Sequence, residues 1–166
     1  KDTLVSWPAT TTILLQTKAT SGVDGVVFAV NSASGVVAPI LFGSAITASA
    51  NNAFSRVVFS TTESSSRAIA TYARDVKAGN SVTFTSSILP EKCAWSNMSN
   101  TVLNCAKPFG TMLGDYLDAH NFGGVPESDY IVVTSTQTGD SIGIAVPGSR
   151  QGGRKDRIGN IVVSPD

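Results

Sequence analysis

Residues 146–157 read VPGSRQGGRKDR, with Arg150, Arg154, Lys155 and Arg157 set among Gly148, Gly152 and Gly153 and one counter-charge, Asp156. Four of the chain's 12 basic residues therefore share one glycine-rich stretch. Successive glycines let a backbone approach another surface and present its N–H groups, and Arg forks match phosphates or carboxylates bidentately. The stretch is suited to holding something anionic, either an RNA backbone or the acidic edge of a neighbouring subunit. A solvated loop whose charges keep it soluble is the plainer reading.

Four carboxylates lie near one another in sequence: Asp115, Asp118, Glu127 and Asp129. A pair of them would suit glycoside hydrolysis, and as oxygen donors they would suit Ca²⁺ at a subunit interface. Against both, Asp115 and Asp118 fall on the wet face of a helix, Glu127 and Asp129 read as loop solvation, and no D-x-D-x-D-G spacing is present. The single histidine, His120, falls at a helix end, where it serves the C-terminal carbonyls better than it serves catalysis. The chain has no G-x-S-x-G elbow, HExxH, P-loop or dinucleotide fingerprint. The expectation is a protein that is not an enzyme and carries no cofactor, Ca²⁺ being the one ion left open.

Cys93 and Cys105 do not have zinc or redox spacing. They form either a disulfide, in an oxidising compartment, or two small core hydrophobes. Between them Asn97-Met98-Ser99 is a glycosylation sequon. Trp7 and Trp95 are the candidates for stacking on a sugar, and equally for core or interface.

The elements that would position these groups read mostly as strands. Residues 10–20 and 26–30 form neighbouring strands across the SGVDG turn. The stretch 34–52, apolar but broken by Pro39 and Gly43, reads as a buried loop or short strand. Residues 56–61, 67–76 and 81–89 read as strands, the last stopped by Pro90. Phe109, Met112, Leu113, Tyr116 and Leu117 fall on one face of a helix over 109–119. A hairpin pairs 130–136 with 141–146 across QTGD, and 158–163 reads as a final strand. No internal repeat or linker is evident. The expectation is one domain over 1–166: an all-β antiparallel two-sheet sandwich of about eight strands with one inserted helix.

Composition narrows the class. The chain has 166 residues, 42% hydrophobic and 14% charged, and its net charge is +0. Charge is well below the usual quarter or so of a globular domain. A Ser/Thr-rich neutral surface suits extracellular β domains and self-associating subunits, and argues against nucleic-acid binding by the whole surface.

This pattern, with the stretches FSRVVFSTTESSSRAIATYARDV (54–76) and TKATSGVDGVVFAV (17–30), resembles the jelly-roll coat proteins of small icosahedral RNA viruses. The resemblance implies a self-assembling, non-catalytic capsid shell subunit located in the virion, with RNA as a partner; separately, no apolar run in the sequence is long enough to span a bilayer. The family's basic N-terminal arm is missing from the sequence. Two other classes stay open: a secreted or cell-surface adhesin, carbohydrate-binding or pilus subunit, and a hydrolase with a dispersed carboxylate site.

Overall fold

In the computed structural model the structure describes residues 2–124, 128–146, 158 and 161–163. Twelve strands form three separate four-stranded antiparallel sheets. The first holds β1 (Thr3–Ala9), β2 (Thr12–Thr17), β3 (Asp24–Asn31) and β4 (Val37–Ser44). The second holds β5 (Thr47–Ala50), β6 (Arg56–Thr62), β7 (Ile69–Asp75) and β8 (Ser81–Thr83). The third holds β9 (Cys93–Trp95), β10 (Val102–Pro108), β11 (Asp129–Ser135) and β12 (Ser141–Ala145). Each sheet is a meander of consecutive strands, and among the described residues no sheet takes a strand from elsewhere in the chain. The expected two-sheet jelly roll of about eight strands is thereby overturned.

One turn recurs between the third and fourth strands of every sheet, although no repeat is evident in the sequence. Asn31 and Asp75 each accept, on a side-chain oxygen, hydrogen bonds from the backbone N–H two and three residues on, and Ser135 does the same through its hydroxyl. The backbone carbonyls of these residues then accept from Gly35, Gly79 and Gly139. Those glycines have φ of 72°, 74° and 81°, the left-handed region that a side chain disfavours. A residue with a short side-chain acceptor, three positions and a glycine is thus the common device that reverses each sheet.

The sheets stack face against face. Leu14, Val27 and Leu41 of the first pack on Ile46, Ala48, Ala50 and Val57 at the near side of the second. Val58 and Ala73 on the far side of the second, with Phe84 and Ile88, pack on Leu103, Cys105 and Val132 of the third. Adjacent residues of a strand point to opposite faces, so Val57 and Val58 are both buried because their sheet is covered on both sides. Gln16 stitches the first two sheets together: it accepts from the Ala48 N–H at 2.8 Å and donates to the Ala48 carbonyl at 3.3 Å.

The helix α1 (Tyr116–Asn121) is shorter and later than the sequence periodicity predicts. Met112, Tyr116 and Leu117 do form a buried stripe, closing a cluster with Ala19, Ala45, Ile69 and Leu89 from all three sheets or their loops. Residues 112–114 are instead drawn into sheet-like bonding. Ile69 N–H donates to the Met112 carbonyl, Gly114 N–H donates to that of Arg67, and Leu113 bridges Ala68. Phe109 and Leu113 consequently remain exposed. Pro39, which breaks the stretch 34–52 read as a buried loop or short strand, lies within β4, the edge strand of its sheet, where proline is tolerated. The described residues 158 and 161–163 are not strand.

Candidate functional site: the open face of the first sheet

The front of each sheet is the face toward the preceding one, and the rear faces the next. The rear of the first sheet is covered by the second. Its front is covered by none of the described residues, yet it is just as apolar. On that face Leu15 lies opposite Val5 and Phe28, Ile13 opposite Val30, Val30 opposite Val37, and Val26 opposite Phe42. Directly opposed residues share a face and pack side by side. Trp7 follows Val5 by two positions on β1. Val5 is 67% exposed, Trp7 64% and Phe42 71%. Asp24, at the margin, is the one charged residue that alternation places on this face among the described residues of the sheet. A sheet with water on one side normally alternates apolar and polar residues, whereas a sheet apolar on both faces is one built to be covered twice.

The rear of the third sheet repeats this on a smaller scale and at one end only; at the other end Ala106 and Asp129, on the same face, are each 1% exposed, and Asp129 accepts from the Ile158 N–H. Ile142 lies opposite Val133, and Val133 opposite Asn104, all pointing away from the second sheet. Ile142 is 71% exposed, and Ile144 beside it is also exposed.

The structure distributes the sequence-derived candidates elsewhere. Arg150, Arg154, Lys155 and Arg157, like Glu127, lie outside the described residues. Asp129 is buried with Lys92, its Oδ1 2.6 Å from Nζ, and its Oδ2 accepts from the Ile158 N–H at 2.7 Å. Asp118 accepts from the Ser21 N–H. Asp115 is an exposed residue at the start of α1. Asp129 and Asp118 are therefore committed to structural bonds in different places. Among the described residues no group of three or more His, Cys, Asp or Glu is placed to hold a metal ion.

His120 Nε2 lies 3.3 Å from Glu91 Oε1. The Glu91 carboxyl is tucked among its neighbours while part of the side chain stays in solvent. Burial raises its pKa, against the opposing pull of Lys92 and Lys18. Beside α1, Asp2, Lys18, Ala19, Asp118, Asn121 and Phe122 line an open cleft of about 480 Å³ with charges of both signs.

Cys93 and Cys105 are opposed across β9 and β10 and joined by a disulfide. The sequon lies in the connection between those strands. Trp95 is half-buried on the front of the third sheet and donates its indole N–H to Ser49 Oγ of β5 at 3.1 Å, so it serves an interface between sheets. Trp7 is the exposed tryptophan. The signal for this face was legible in the apolar run 26–30, but a run of that kind does not say which side remains open.

No protein-family model matches the chain, and no curated protein matches it. In fold it is similar to a solved structure, the β-propeller domain of the Trilobed protease from Pyrococcus furiosus, described as having an open velcro topology. The TM-score is 0.55 at 13% identity, over 89% of this chain and 44% of that one. The chain thus spans less than half the length of the structure it matches. The likeness carries the fold, that of propeller blades, and no reaction. It replaces the expected two-sheet jelly roll.

Proposed function

We propose that this chain is a non-enzymatic assembly module in which three propeller blades present an open apolar face as the working surface. The observation that carries this reading is the front of the first blade, apolar from Val5 and Trp7 on β1 to Phe42 on β4 and left uncovered by the described residues. Full burial of side chains of this size is worth roughly 1.5–3 kcal/mol each. A handful of them meeting a complementary sheet supplies a stable interface, as the two blade contacts within the chain do already. The disulfide between Cys93 and Cys105 supports an oxidising compartment, outside the cytoplasm or at the cell surface.

An anilinonaphthalene sulfonate dye tests the reading. The dilute native chain is expected to bind the dye and brighten it, and Phe42→Glu, at an exposed position, is expected to remove most of that signal without changing the circular dichroism. Absence of dye binding, or binding unaffected by Phe42→Glu, would overturn it.

A further inference from the structure

We infer that the occupant of the open face is a second copy of this chain, with the rear of its third blade packed on the front of the first. This rests on the docking-face reading above.

Both blade contacts within the chain have the same sense: Val27 and Thr71, each four positions before the turn residue Asn31 or Asp75 of its blade, both point toward the following blade. The surface that continues the series onto the front of the first blade is therefore a rear face. Among the described residues such a face lies on the third blade, with Ile142 and Ile144 exposed on β12. Three consecutive blades cannot reach round to their own start, because propeller rings need at least about four. Two copies related by a two-fold axis bring each front against the part of the other's rear that the described residues leave exposed. This is the closed cyclic arrangement that most oligomers adopt.

The match to the propeller structure agrees in scale, since this chain accounts for 44% of that chain's length and a pair accounts for most of it. A net charge of +0 leaves no overall repulsion between copies.

The contact inside the chain also supplies a template for the tryptophan. Trp95, on the innermost strand of the third blade's front, reaches a hydroxyl on the rear of the second blade. Trp7 occupies the innermost strand of the first blade's front. On the rear of the third blade the innermost strand offers Ala94, and its cross-strand partner Asn104 carries the polar group. The inferred contact sets Trp7 of one copy near Asn104 of the other.

Sedimentation equilibrium tests this at high micromolar concentration. The native chain is expected at twice 17.2 kDa. Phe42→Glu on the front and Ile142→Glu on the rear are each expected to give monomers with unchanged circular dichroism, both positions being exposed. Mixing the two variants leaves one undamaged front to meet one undamaged rear, and is expected to restore dimers in part. A dimer that survives Ile142→Glu would overturn the front-to-rear pairing. A native monomer that still binds the dye would overturn the second copy while leaving the docking face standing. A native monomer that does not bind the dye would overturn both.

Discussion

Trp95 of β9 donates its indole N–H to the Ser49 hydroxyl of β5 across the junction of the second and third blades, at 3.1 Å. A hydrogen bond of this kind contributes about 1 kcal/mol net. Ser49→Ala is expected to lower unfolding stability by about that amount. Combining it with Trp95→Phe should cost less than the two single changes added together. Urea denaturation of the four-member cycle reads the coupling.

The buried pair Lys92–Asp129 ties the short 3-10 turn at Pro90–Lys92 to the start of β11. Removing one partner leaves a charge buried without compensation, which costs about 3–5 kcal/mol. Asp129→Asn and Lys92→Met should each destabilise strongly in urea titrations, while the double change Lys92→Met with Asp129→Leu should recover much of the loss. Equal loss in the double variant would show that the pair does more than neutralise itself.

The recurrent turn predicts graded responses to alanine. At Gly35 a side chain would meet open space, so Gly35→Ala costs only the left-handed backbone strain, about 1–2 kcal/mol. At Gly139 an added Cβ would also collide with the Thr83 carbonyl, and the loss should be larger. Thermal melts of the two variants give the order. Reversal of that order would contradict the packing of this turn against β8.

Asp75 gives one of these turns a pH dependence. The Ala78 N–H, with a further hydrogen bond from Lys77, holds its carboxyl below the ordinary value of 3.8. A group with a lowered folded pKa contributes stability above its unfolded value and loses it as pH falls through the folded one. Native-state hydrogen exchange, corrected for the intrinsic rate at each pH, should therefore show lower protection across residues 75–80 below about pH 4. Asp75→Asn, which keeps an acceptor that does not titrate in this range, should remove the acid dependence. The equivalent turns at Asn31 and Ser135 should show none.

Reduction of the Cys93–Cys105 disulfide releases a short cross-strand loop. Loop-closure entropy for a loop of this size is worth about 3 kcal/mol. Denaturation with and without dithiothreitol should show a loss of that order, confined to one cooperative transition.

Strand content was legible where local chemistry alone decides it. The hairpin around QTGD and the RVVFST strand both form. The repeat was hidden because its turn tolerates Asn, Asp or Ser at one end, and because only the glycine is shared at uneven spacing. Pro8 and Pro39 disguised β1 and β4, both edge strands, where a missing N–H costs no ladder bond. The helix was overextended because Phe109 and Leu113 keep the period without keeping the burial. The number of sheets depends on which strands fail to pair across a connection, and side-chain pattern does not carry that information. The open face was unreadable for the same reason, since apolar residues on both sides of a strand signal two partners without naming them.

Hydroxyl-radical footprinting of Trp7 and Trp95 across a dilution series tests the central claim most directly, because mass spectrometry reads the two side chains separately in the unaltered chain. The account predicts heavy labelling of Trp7 in dilute solution that falls as concentration rises, while Trp95, held at the junction of two blades, stays weakly labelled throughout. Weak labelling of Trp7 at every dilution would show that the front of the first blade is already covered, and would contradict its role as the docking face.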